Sequence, residues 1–183
     1  MKYKDIKTPE ELLEYMSSNI KYGFMYKNGD ACLDIRTVDW DIWHKECLVQ
    51  TGIELLESNV GTCWDQVELE RMWFIEHGYE IKTFFIWFDI DVENDLPSHT
   101  FLLYKNGDKW NWFENAFELR RGIREYTSIE DAIEDVKKYQ VEFATKVFKV
   151  DEKLGKYLNS CEYEGIDKPT GVDDYLEHVT KQK

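Results

Sequence analysis

A chain of 183 residues with seven Trp, eleven Tyr and ten Phe has the bulk to bury a core as one domain without disulfide staples. Its formal charge of −14 argues against nucleic acid and anionic membranes as partners, since both are held mainly through Lys and Arg. Four unevenly spread cysteines, an N-terminus lacking an apolar leader and no run near the ~18–20 residues of a membrane span point to a reducing cytoplasm.

Thr8-Pro9-Glu10-Glu11 opens a first helix with an N-cap, Pro at the first helical position and Glu at the third, and Leu12, Leu13, Met16 and Ile20 give it an apolar stripe. From Tyr22 to Val38 the chain reads as short strands around Asn28-Gly29, a two-residue hairpin signal. Asp39 to Gln50 reads as a helical turn and an irregular segment, and Gly52 to Ser58 as a short helix. A helix of core character follows from Trp64 to His77, stopped by Gly78. Ile81–Ile90 is aromatic and β-branched, hence a strand, and is followed by an acidic loop, Asp91 to Asp95. His99–Lys105 and Lys109–Phe113 form a hairpin closed by Asn106-Gly107. Thr127-Ser128-Ile129-Glu130 starts a helix reaching Val147. These elements predict an α+β domain over residues 1–148, with helices segregated from three antiparallel strands. The polar segment 149–183 reads as a C-terminal extension packed on the same domain, carrying a short helix from Val172 to Val179.

The candidate chemistry centres on Asn59-Val60-Gly61-Thr62-Cys63-Trp64, a tight turn that delivers a cysteine to a helix N-terminus. The macrodipole and the unpaired N–H groups of a first turn favour an anion, which suits a nucleophilic thiolate. Gly61 permits a positive φ or a close approach. A thiol nucleophile needs a base, and the base needs an orienting group. His99 at a strand start and Glu114 at the end of its hairpin partner lie at the same end of the pair, with Asn115 as an alternative orienting residue. Gln50 and the Trp64 indole are candidates to join the Cys63 N–H at an oxyanion.

These residues carry a resemblance. Gly61-Thr62-Cys63-Trp64 resembles the Gly-x-Cys-Trp nucleophile motif of the transglutaminase-like superfamily. His99-Thr100-Phe101-Leu102-Leu103-Tyr104, followed by Trp110-Asn111-Trp112-Phe113-Glu114, resembles its histidine and acid segments in the same chain order. The likeness spans roughly Leu55 to Arg124; small bacterial and phage members also tend to keep a stretch like Gly61 to Arg71 and an Arg-Gly-Ile like Arg121-Gly122-Ile123. The resemblance implies a papain-like core and a Cys63–His99–Glu114 triad, with Glu where Asp is usual. It further implies acyl transfer through a Cys63 thioester on a peptide or protein substrate, peptidase or amidase activity ahead of transamidation, and no cofactor. The alternative is a catalytically silent module of the same fold that binds a protein partner. An arylamine acetyltransferase shares the order Cys, His, acid but calls for Arg-Gly-Gly where this chain has Asn59-Val60-Gly61.

Other clusters carry less. The acids from Asp89 to Asp95 lack the Gly and the final Glu of a calcium loop. His44 and Cys47 have no second pair for zinc, so no metal is expected. Glu68, Glu70 and Arg71 read as a salt-bridged exposed helix face, and Arg121 and Arg124 as structural cations.

Overall fold

A computed structural model describes residues 2–34, 37–90 and 96–181. The elements in order are α1 (Pro9–Asn19), β1 (Phe24–Tyr26), β2 (Ala31–Cys32), α2 (Trp40–Glu46), β3 (Cys47–Val49), α3 (Gly52–Ser58), α4 (Cys63–Glu76), β4 (Ile81–Phe88), β5 (His99–Asn106), β6 (Lys109–Glu114), β7 (Gly122–Tyr126), α5 (Ile129–Phe148), β8 (Leu158–Tyr163), β9 (Thr170–Gly171) and α6 (Val172–Thr180). The fold is α+β with two antiparallel sheets, ordered β2-β1-β3-β9 and β7-β6-β5-β4-β8.

The larger sheet is covered on both faces. Phe84, Ile86 and Phe88 of β4, Phe101 and Leu103 of β5, and Trp110 and Trp112 of β6 pack with Ala132, Val136 and Tyr139 of α5. Leu102, Tyr104 and Phe113 point the other way, onto Leu69, Trp73 and Phe74 of α4 and Leu12 and Met16 of α1. Burial on both faces explains why β4 reads as one apolar run without alternation. The α1 start is closed by Thr8 and Glu11 as expected: Glu11 N donates to Thr8 Oγ1 at 3.3 Å, and Thr8 N donates back to Glu11 Oε2 at 3.2 Å.

Sequence reading placed three strands in the sheet, and the structure has five. Both additions are edge strands. In β7 no residue is fully buried, and in β8 only Leu158 and Tyr163 are, so neither shows an alternating apolar pattern. β8 pairs with β4 from Thr83↔Tyr163 to Phe88↔Leu158. The segment read as an extension therefore supplies a strand of the central sheet. It also supplies α6, whose Val172, Tyr175 and Val179 are buried against Trp43, Val67 and Phe85. The segment after Asp39 is a true helix, because Asp39 Oδ1 caps it by accepting from Asp41 N at 3.0 Å and Ile42 N at 3.3 Å. It leads into β3. The first hairpin has a three-residue turn, Lys27 to Gly29, instead of two, with Asn28 Oδ1 accepting from Asp30 N at 3.0 Å. The second closes on two residues between Asn106 and Lys109 as expected. Among the described residues no helix is long and apolar enough to cross a membrane. The acidic loop 91–95 lies outside the described residues.

Candidate active site

The turn before α4 is held from three sides. Gly61 N donates to Lys21 O at 3.0 Å and Lys21 N to Asn59 O at 2.9 Å, a parallel bridge that lays residues 21–22 along the turn. The Asp65 carboxylate caps the helix from inside, accepting from Thr62 N at 2.7 Å and Thr62 Oγ1 at 2.8 Å on one oxygen and from Gln50 N at 2.7 Å on the other. Gly61 is needed for proximity: a Cβ there would stand 2.7 Å from both Leu55 Cδ1 and Asp65 Cβ. Its φ is not positive. Cys63 is thereby fixed as the first residue of a 14-residue helix, buried to 3 % exposure yet lining a cavity.

His99 and Glu114 stand where the sheet divides. The β5–β6 ladder ends at Leu102↔Phe113; β5 continues along β4 to Ile86↔His99, while β6 continues along β7 to Glu114↔Gly122. His99 Nε2 and Glu114 Oε2 are 2.9 Å apart, and Glu114 Oε1 accepts from Phe117 N at 2.8 Å. Glutamate thus serves both the ring and a backbone amide, with its extra methylene supplying the reach. The Phe117 ring lies on the imidazole at 3.9 Å and 15°. His99 Nδ1 is buried and has no conventional hydrogen-bond partner, and the Cys63 thiol interacts with the ring. Burial by itself would lower this imidazole, but the Glu114 carboxylate and the Cys63 thiol more than offset it, raising His99 from 6.5 to about 9. The ring therefore holds a proton at neutral pH.

The other expected residues are placed as follows. Asn115 faces away from the imidazole: its Nδ2 donates to Gln66 Oε1 at 2.7 Å, and Gln66 Nε2 donates to Gly61 O at 3.0 Å, a brace behind the turn. Gln50 Nε2 donates to Val60 O at 2.8 Å and approaches Asp65 Oδ1 at 3.4 Å, so this amide is committed to the turn and not to an oxyanion. Trp64 stacks on Tyr175 at 4.9 Å and forms a wall of the cavity beside the sulfur. Sequence reading missed Tyr22. The residue is 38 % exposed, while its hydroxyl sits against both the backbone N–H and the thiol of Cys63. Burial and the Cys63 sulfur push that phenol well above its ordinary pKa, so it remains a donor. Only the bridge through Lys21 brings it there, which no local pattern announces.

Glu68 and Glu70 are not an exposed face; both are buried, at 5 % and 2 % exposure. The loop after β8 covers Glu68, with Ile166 N donating to Glu68 Oε2 at 3.3 Å and Arg71 Nε 3.6 Å from the same oxygen. Burial pushes Asp65 up to about 6 despite its hydrogen bonds, and Glu68 up to about 7 despite Arg71. Glu70 is held well above the usual carboxylate range by burial and by Glu114, Cys63 and Glu68 nearby. Arg121 Nε donates to Asn115 O at 3.1 Å, and Arg124 lies over Trp112 at 5.0 Å, both structural contacts. His44 Nδ1 meets Asp173 Oδ1 at 2.7 Å, and among the described residues no three His, Cys, Asp or Glu side chains are grouped to hold a metal. No family model, curated protein or solved structure matches this chain.

Proposed function

We propose that the protein is a transglutaminase-like thiol hydrolase or acyltransferase with a papain-like core, acting on an amide bond through a Cys63 thioester. The observation that carries this reading is the His99 ring set between the Cys63 thiol and the Glu114 carboxylate, at the N-terminus of a buried helix. Cys63 Sγ attacks the carbonyl carbon. The tetrahedral oxyanion is met by the Cys63 N–H and the Tyr22 hydroxyl. His99 gives its proton to the leaving nitrogen as the C–N bond breaks, and the thioester remains. Neutral His99 then takes a proton from water or an amine, whose attack forms the new C–O or C–N bond and expels the thiolate. Peptidase or amidase activity stands ahead of transamidation.

Thiol labelling tests the nucleophile. Near pH 7 iodoacetamide should label Cys63 faster than Cys32, Cys47 or Cys161, as read by peptide mass. Burial opposes reaction at two of the rivals, pushing Cys47 up to about 12 and raising Cys161 as well. Cys32 labelling at the same rate or faster would sink the reading.

Tyr22 has its own signature. Tyr22→Phe should lower kcat on an activated ester about a hundredfold to a thousandfold with KM little changed, the scale of one oxyanion donor. Iodoacetamide labelling forms no oxyanion and should not slow. Equal losses in both assays would make Tyr22 a packing residue.

A further inference from the structure

A cavity of about 410 Å³ opens beside the Cys63 sulfur, a volume typical of small-molecule sites. Its walls come from distant parts of the chain: Trp43 of α2, Trp64 of α4, Trp87 of β4 and Phe143 of α5. At its mouth Trp40 and Phe148, each 41 % exposed, leave aromatic surface that nothing else in the described chain covers. Among the described residues lining it there is no Lys, Arg, Asp or Glu; the only ionisable groups are Tyr22, His44 and Cys63. Tyr22 faces Cys63, and His44 Nδ1 is already held by Asp173 at 2.7 Å. A carboxylate or ammonium brought inside would be desolvated with no oppositely charged partner among the described lining residues. The rings also present edges as well as faces, with Trp40 to Trp43 at 5.3 Å and 85°, Trp43 to Trp64 at 5.5 Å and 51°, and Trp64 to Phe85 at 6.1 Å and 65°. A further ring inserted among them finds the edge-to-face and offset contacts that aromatic pairs prefer.

We infer that the acyl group delivered to Cys63 is uncharged and ends in an aromatic ring seated in this cavity. The inference rests on the acyl-transfer reading and sharpens it: the substrate is an arylalkanoyl amide or ester, whether the ring is a free acid's or the side chain of a peptide residue.

The test uses 4-nitrophenyl esters of acetic, 3-phenylpropanoic, decanoic and succinic acids and of N-acetylphenylalanine, each rate divided by that of the same ester with free cysteine. In the acylation step the Sγ–C bond forms, the C–O bond breaks, and 4-nitrophenolate leaves with the electron pair. Burial of one phenylalanine-sized side chain predicts that the 3-phenylpropanoyl ester exceeds the acetyl ester by about thirtyfold, and the succinyl ester should not exceed the acetyl ester at all. Trp40→Ala should lower the aryl-to-acetyl ratio. A flat series, or a preference for the succinyl ester, overturns the inference. A decanoyl ester that outruns the aryl one overturns its aromatic part. Preference between N-acetylphenylalanyl and 3-phenylpropanoyl esters separates the peptide source from the free acid. Failure of the acyl-transfer reading is told apart by Cys63→Ala, which can bind but not react. Saturable quenching of its Trp fluorescence by 3-phenylpropanamide, with none by succinamate, supports the aromatic, uncharged site, and absence of quenching overturns it.

Discussion

Glu114→Gln is expected to cut amide turnover by roughly a hundredfold or more at pH 7, the scale of general acid catalysis, and to move the alkaline limb of activity down from about pH 9. The cause is electrostatic. His99 is fully buried, which alone would lower its pKa, and the Glu114 carboxylate is the largest influence in the opposite direction. A neutral amide keeps an oxygen that can accept from Phe117 N but removes the charge, so the ring loses its proton at lower pH. In the parent protein kcat/KM should fall as pH rises through about 9, where His99 can no longer protonate a leaving amine. In the variant the same fall should come near or below the ordinary histidine value. Comparing a 4-nitroanilide with a 4-nitrophenyl ester of one acyl group isolates the step, since nitrophenolate leaves without a proton; the variant should lose far more on the anilide. Glu114→Asp keeps the charge but is one methylene shorter, so it cannot serve both His99 and Phe117 N at their present distances of 2.9 Å and 2.8 Å. An alkaline limb that stays at about 9 in Glu114→Gln would show that Glu114 does not set the ring's proton affinity.

What the sequence makes legible here is local or nearly so. Gly61-Thr62-Cys63 announces a helix start with a thiol on it, and the Asn106-Gly107 turn fixes a register that brings His99 and Glu114 to one end of a hairpin. The choice between Glu114 and Asn115 needed the fold, because the two side chains leave the strand on opposite sides and only one meets the imidazole. Tyr22 reaches Cys63 through a bridge between segments far apart in sequence, and the cavity draws rings from α2, α4, β4 and α5 at once. Edge strands β7 and β8 bury too little to show a period. Missing β8 also hid the burial of Glu68, since the loop that follows β8 covers it and makes an acid that looks solvent-facing into a core residue.

That burial makes stability fall as pH rises. Asp65, Glu68 and Glu70 are all raised in the fold, so the folded protein holds protons that the unfolded chain has released. Each contribution is complete below the unfolded pKa and is lost as pH climbs through the folded value: between 3.8 and about 6 for Asp65, and between 4.5 and about 7 for Glu68. His99 has the same sign, since its stabilisation is complete below 6.5 and is lost on passing about 9. Comparing pH 6 with pH 9 avoids the sequence isoelectric point near 4.7 and spans the His99 window and the last part of the Glu68 window. The expected loss is on the order of 5 kcal/mol, or roughly 10–20 °C in Tm for a chain of this size. The exposed acids Asp131 and Glu142 are lowered by their hydrogen bonds and oppose the trend, but solvent screens them. Glu68→Gln isolates the cause: it preserves the shape of a side chain whose folded value of about 7 keeps it mostly neutral at pH 6, so Tm should hardly change there and should rise at pH 9. A parent Tm that is flat or climbs from pH 6 to pH 9 would show that water reaches these carboxyls, and an unchanged Tm at pH 9 in Glu68→Gln would show that the covering of Glu68 by the β8 loop is not maintained in solution.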